Sequence, residues 1–232
     1  MHYKGIIFDF NGTLFWDSDK HTVAWKTMAA KLRREALTDE EMVQKLQGRP
    51  NPAIIEYLSG KRLDDANIFA ISMEKEQIYR QLCHDDPHGC RLAPGASELL
   101  DFLKKHNIPR TIATSSERTN LDFYLETFKL AQWFDPNRIV YDDGSIVAGK
   151  PAPDIYFKAA DWLHLKPQDC IVVEDSLAGI RSAYRAGIGY IVAIGPEEKR
   201  AELTGIPEKN IVISDFSELD RKILLPNAVH GS

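Results

Sequence analysis

The sequence predicts an α/β protein, a parallel sheet with helices on both faces, interrupted early by a helical insertion. Three observations carry this. Residues 3–8 form a short apolar, β-branched run of the length and composition of a buried strand. From about Ser18 to His84 only helix signals occur. From Arg91 onward strand-like and helix-like segments alternate, and repeated βα units pack as a parallel sheet covered on both sides. The first strand belongs to that sheet. Residues 1–15 and 91–232 are therefore expected to form one Rossmann-like domain, with residues 16–90 a four-helix cap domain inserted after its first strand.

In the insertion, residues 19–32 space Val23, Met28 and Leu32 helically, with Trp25 alongside. Thr38-Asp39-Glu40-Glu41 reads as a capping box ahead of Met42, Val43 and Leu46. Gly48-Arg49-Pro50 ends that helix. Asn51-Pro52 opens the next, Asn as cap and Pro in the first turn, carrying Ile54, Ile55 and Leu58 to a stop at Gly60. A longer helix starts at Asp64 or Asp65 and presents Ile68, Ile71, Ile78 and Leu82.

Pro94-Gly95 then begins a helix whose Leu99, Leu100 and Leu103 face a core. A strand at 110–113, a helix near 118–128, a strand at 139–141 and a helix at 151–163 follow. Next come a strand at 170–173 and a helix at 177–186, stopped by Gly187. A strand at 190–194, a polar helix near 196–203, a strand at 210–213 and a terminal helix complete the pattern. His230-Gly231-Ser232 reads as a disordered end.

With 232 residues, 44% hydrophobic and 27% charged, the composition is that of a soluble globular protein able to bury a full core. The net charge of −5 argues against a nucleic-acid partner, which calls for a basic field. Cys83, Cys90 and Cys170 form neither a disulfide framework nor a C-x-x-C zinc pattern. No apolar run approaches the roughly 18 residues of a membrane helix, and no signal peptide precedes the first strand. A monomeric cytoplasmic protein with no membrane partner is expected.

Polar residues at strand ends point to chemistry. Asp9, at the end of a buried strand and followed by Asn11-Gly12-Thr13, loses hydration without gaining packing. It suits a nucleophile or metal ligand at the carboxyl edge of a sheet, although Asn-Gly by itself also reads as a turn. Thr114-Ser115-Ser116, directly after a strand, offers hydroxyls and backbone N–H groups to a phosphate oxygen; a simple helix cap is the alternative. Lys150, braced by Pro151 and Pro153, can present a point charge to phosphate and to a carboxylate. Adjacent Glu174 and Asp175 repel unless something positive neutralises them, and with Asp9 they suit a hard dication such as Mg²⁺.

Together Asp9–Leu14, Thr114–Ser116, Gly149–Pro151 and Val173–Ser176 resemble the four motifs of the haloacid dehalogenase superfamily. Their order and spacing cover almost the whole chain. The insertion after the first motif is similar to the branch holding β-phosphoglucomutases, sugar-phosphate and phosphoglycolate phosphatases and phosphonatases. That resemblance implies a phosphatase or phosphotransferase acting on a small phosphorylated metabolite, a sugar phosphate above all. Asp9 would form an aspartyl-phosphate, and Thr114 and Lys150 would hold the phosphoryl oxygens. Asp9, the Asn11 carbonyl, Glu174 and Asp175 would organise Mg²⁺. In the cap, His21, Gly48 and Arg49 would contact substrate, with Ser115 and Ser116 adding polar contacts from the sheet domain.

Position 11 departs from the family pattern, which places an acid–base Asp there. An amide exchanges no proton near neutral pH, and such help is worth about 10²–10⁴-fold in rate. Several readings stay open: a slow enzyme, one acting on good leaving groups, or altered chemistry using a cap lysine such as Lys45. Position 11 could also be a deliberate substitution. A β-phosphoglucomutase-like isomerase and an impaired phosphometabolite-binding protein are the alternatives to hydrolysis.

Overall fold

The computed structural model describes residues 2–46, 49–146 and 148–225. Six strands, β1 (Gly5–Phe8), β2 (Arg110–Glu117), β3 (Val140–Asp142), β4 (Cys170–Glu174), β5 (Tyr190–Ile194) and β6 (Ile211–Ile213), form one sheet. Their order is β3-β2-β1-β4-β5-β6, and every pairing is parallel. The central strands β1 and β4 are buried along their whole length, as unbroken apolar runs in a parallel sheet should be. β1 is the switch point: the chain proceeds to β2 on one side and later to β4 on the other. Such a point opens a crevice at the carboxyl ends of the strands. In register, Phe8 of β1 lies beside Ile112 of β2 and Val173 of β4. Asp9, Ala113 and Glu174 therefore sit at one level.

The chain divides into two compact units, residues 1–16 with 92–232, and residues 17–91. The second unit holds α1 (Ser18–Arg33), α2 (Asp39–Glu41), α3 (Asn51–Ser59) and α4 (Asp65–Asp85). A π-helical stretch, Met42–Leu46, continues α2. Trp25, Met28, Leu46, Ile54, Ile55 and Leu58 form its core. The capping box at Thr38 and Glu41 is present, and Asp64 caps α4 through the Asn67 N–H at 2.8 Å. Asn51, however, is not a cap. Pro50 holds that position, and the Asn51 amide donates to Glu76 Oε1 at 2.9 Å, satisfying a buried carboxylate instead. Gly48 lies outside the described residues, as does the tail at 230–232.

In the first unit, α5 (Ala96–Lys105), α6 (Arg118–Thr127), α7 (Asp154–Trp162), α8 (Leu177–Arg185) and α9 (Arg200–Thr204) accompany the sheet. Ile7, Ala113, Val140, Tyr156, Val172 and Ile180 are among its core residues. Three elements depart from the sequence reading. β2 runs on through Thr114-Ser115-Ser116 to Glu117, because β3 keeps pairing with it past an irregularity between Ala113 and Glu117. α7 starts at Asp154 rather than 151: Lys150 and Ala152 each precede a proline, and that disfavours helical backbone. The terminal helix is two 3₁₀ turns, Phe216–Glu218 and Arg221–Leu224, each capped by an Asp side chain two residues ahead of the N–H it accepts. Among the described residues no helix is long and apolar enough to cross a membrane.

One polar node ties α1, α2 and α3 together. Arg33 donates from Nη1 and Nη2 to the two Glu41 oxygens at 2.8 and 2.9 Å, and the Tyr57 hydroxyl donates to Oε1 at 2.7 Å. These donors, Arg33 first, lower the Glu41 pKa to about 2. A depressed folded-state pKa stabilises above the ordinary carboxylate pKa, and the contribution is lost as pH falls toward the folded value. Glu41→Gln should therefore lower the thermal midpoint at neutral pH, with the gap to the parent chain closing between about pH 4 and pH 2. Melting curves across that range check it.

Candidate active site

Asp9 leaves β1 with its N–H still donating to Val173 O at 3.0 Å, which fixes its carboxylate at the sheet edge. The chain then turns sharply. Thr13 and Phe15 both donate to the Phe10 carbonyl, at 3.2 and 2.9 Å. Gly12 has φ +80°, and a Cβ there would overlap the Asp175 carboxylate, so the turn needs glycine on both counts. Phe10 anchors the turn by stacking on Tyr124 at 4.3 Å.

Lys150 is the centre of the site. Its ammonium lies 2.6 Å from Asp9 Oδ1 and 2.5 Å from Glu174 Oε1. Glu174 is 1% exposed and saturated with donors. Oε1 also accepts from Tyr156 OH at 2.8 Å. Oε2 accepts from the backbone N–H groups of Asp175 and Ser176 and from Ser176 Oγ, at 3.0, 3.2 and 3.1 Å. A Cβ on Gly179 would overlap this carboxylate, so the first turn of α8 can close on Glu174 only with glycine there. Ser176 caps α8 through the Gly179 N–H at 3.0 Å; Asp175 does not. Asp175 instead faces Thr13 Oγ1 at 3.3 Å and Lys199 Nζ at 3.6 Å.

The electrostatics follow from burial. Desolvation raises the Asp9 pKa well above the carboxylate range, Lys150 pulls it down, and Glu174 and Asp175 push it up again. Burial works against the Lys150 charge, but Asp9 and Glu174 outweigh it and keep the ammonium protonated. Burial first, then Glu174, raises the Tyr156 hydroxyl well above its usual value, so it stays a donor.

Asp9, Glu174 and Asp175 each bring an oxygen within 4.8 Å of the others. Three carboxylates against Lys150 and Lys199 leave an excess of negative charge. All these donors are hard oxygens, without thiolate or imidazole, which suits Mg²⁺. The donor set fits that ion. Asp9 and Asp175 would hold it more directly than Glu174, which already has donors on both oxygens.

A scan against protein families matches residues 6–193 to haloacid dehalogenase-like hydrolase. The chain belongs to that family. The crystal structure of a HAD hydrolase, family IA, variant 3, from Entamoeba histolytica superposes with a TM-score of 0.87. It is 37% identical over 96% of this chain and 97% of that one. Hexitol phosphatase A of Escherichia coli is 30% identical over 220 residues, 94% of each chain. The beta-phosphoglucomutase of Bacillus subtilis is 29% identical over 198 residues, 83% of each.

In this hydrolase the second motif is turned partly toward its own backbone. Thr114 is buried and its Oγ1 accepts the Ser116 N–H at 3.1 Å, while Ser115 is exposed. Ser116 Oγ donates to Asn11 Oδ1 at 2.7 Å, and Asn11 Nδ2 donates to the Tyr124 hydroxyl at 2.8 Å. The Asn11 side chain thus meets one donor and one acceptor, the complement of an amide.

The inserted unit carries a second buried polar cluster. Lys75, 2% exposed, contacts Glu76 Oε1 at 2.9 Å and His21 Nδ1 at 2.7 Å. His21 Nε2 lies 3.3 Å from Asp17 Oδ2, which also accepts from Tyr79 OH at 2.6 Å, and the imidazole stacks on the Tyr79 ring. A proton on Nε2 satisfies both imidazole contacts. Arg49 and Lys45 are exposed.

Tyr156, Lys199, Tyr124 and Lys75 escaped the sequence reading. The two tyrosines sit on apolar helix faces, Lys199 in a charged run and Lys75 among other charges, so none carried a distinguishing pattern. Removing the Tyr156 hydroxyl leaves a buried carboxylate short of one donor, so Tyr156→Phe should cost about 1–3 kcal/mol in stability. Denaturant titration of the two chains measures this.

Proposed function

We propose that this enzyme is a Mg²⁺-dependent phosphatase of small phosphorylated metabolites, sugar phosphates among them, working through a phosphoryl group carried on Asp9. The observation that carries the reading is Lys150 bridging Asp9 and Glu174, with Asp175 completing a three-carboxylate cluster at the sheet's switch point. Phosphoryl transfer asks mainly for positioning and charge neutralisation, and this cluster is built for both. A hexitol phosphatase and a beta-phosphoglucomutase among the relatives point to the same substrate class.

Asp9 Oδ1 is engaged by Lys150, so Oδ2 is the attacking atom. Lys150 neutralises the phosphoryl oxygens while it orients Asp9, and Glu174 with Tyr156 fixes the ammonium. Thr114 contributes a hydroxyl beside the phosphoryl site. Asp9, Asp175, the Asn11 carbonyl and Glu174 would hold Mg²⁺, which would supply further charge neutralisation. Residues 17–91 serve as the cap that selects substrate, with exposed Arg49, next to Gly48 in sequence, suited to a second anionic group, and His21 contributing from α1.

Asn11 sets the chemical limit. Its amide, held by Ser116 and Tyr124, orients a group but passes it no proton. Leaving groups that depart without a proton are handled best, and alkyl phosphates such as sugar phosphates slowly. An ester whose leaving group departs unprotonated needs a proton shuttle only for the attacking water, whereas a mutase needs one in both half-reactions, so hydrolysis is the favoured reading.

Two outcomes test this. Asp9→Asn should abolish metal-dependent turnover of p-nitrophenyl phosphate; retention of most of it contradicts the mechanism. Asn11→Asp should raise kcat on a hexose phosphate by about 10²-fold or more while changing the aryl substrate far less. No gain on either substrate assigns position 11 no proton transfer; an equal gain on both places the missing transfer in the shared hydrolysis of phosphoryl-Asp9.

A further inference from the structure

A groove of about 420 Å³ opens on the sheet unit, lined by Lys104, Arg110, Trp133, Asp135, Arg138 and Leu163 among others. It lies at the opposite edge of the sheet from the carboxylate cluster. Arg110 is the first residue of β2 and pairs in register with Ile6. Thr114 is four residues on, about 13 Å along the strand.

The charge there is unbalanced. Three cationic side chains line the groove against one carboxylate, Asp135. That carboxylate is already engaged: Oδ2 lies 3.7 Å from Arg138 Nε, and Oδ1 accepts the Asn137 N–H at 3.0 Å. Lys104 has an ordinary explanation, since a cation in the last turn of α5 complements the negative end of that helix. Arg110 has none.

Arg110 is half-buried, its Nη1 donates to Ile108 O at 2.9 Å, and its Nε is buried with no hydrogen-bond partner among the described residues. No carboxylate of the described residues lies within ion-pair distance of it. Burial alone acts on its charge and lowers its pKa. Arg33 shows the contrast, because its Nε is also unpartnered but its guanidinium holds Glu41 from both ends. A half-buried guanidinium without an anion gives up part of its hydration with no ion pair to offset the loss. Its planar fork matches phosphate, and Trp133 and Leu163 give an apolar wall against which a carbon skeleton can lie.

We infer that this groove is a second binding site, for a small phosphorylated ligand, with Arg110 as its anion-binding residue. The site is independent of the reaction at Asp9. It would let a phosphorylated metabolite bind while the carboxyl-edge site turns over.

The test uses the whole chain and inorganic pyrophosphate as probe, read by the ¹H–¹⁵N indole resonance of Trp133, identified with Trp133→Phe. A saturable shift is expected in the parent chain, absent with chloride at matched ionic strength. Arg110→Met should weaken it about ten- to a hundredfold and leave turnover of p-nitrophenyl phosphate unchanged. Lys104→Met with Arg138→Met, which spares Arg110, should weaken it less and gives a second reading should Arg110→Met fail to fold. No saturable shift, an equal response to chloride, or parent-like affinity in both variants overturns the proposal.

Discussion

Three carboxylates gathered at one edge of a sheet repel one another, and burial sharpens the repulsion because little water remains to screen it. The Lys150 ammonium between Asp9 and Glu174 is the response to that constraint. Much else follows from keeping it in place. Glu174 is fixed by Tyr156 and by donors at the start of α8, and Gly179 lets that helix approach closely enough to provide them. Gly12 lets the turn after Asp9 pass beside Asp175. The site is thus an electrostatic arrangement that two glycines make sterically possible.

The sheet supplies the convergence. β1 pairs with β2 on one side and β4 on the other, so residues far apart in sequence leave the sheet at one level. Lys150 comes from a loop rather than a strand end. The two prolines that follow it, Pro151 and Pro153, keep the segment in a turn and delay the start of α7 to Asp154.

The architecture was legible because its signals are local. Strand composition, the capping box at Thr38 and the αL stops at Gly60 and Gly187 each depend on a few neighbouring residues. Asp9, Glu174 and Asp175 stood out because charges at the ends of apolar strands are expensive, and Lys150 because prolines brace its backbone; the structure gathers all four. What escaped depends on partners distant in sequence. Asn51 looks like a cap until Glu76, on another helix, takes its amide. Thr114–Ser116 looks like a loop until β3 extends the ladder beside it. Asn11 looked like the loss of a proton carrier, but only the fold shows Ser116 and Tyr124 arranged around an amide.

That arrangement bears on the chemistry as a whole. Positioning and charge neutralisation are in place around Asp9, whereas proton transfer at position 11 is absent, so formation of a phosphoryl-Asp9 species should be separable from protonation of the leaving group. The most direct measurement is borohydride trapping during turnover of an aryl phosphate, followed by peptide mass spectrometry. An acyl phosphate on Asp9 is reduced to homoserine, and the account predicts homoserine at position 9, dependent on substrate and divalent metal. Turnover that proceeds with Asp9 unmodified in the trapped protein would contradict it.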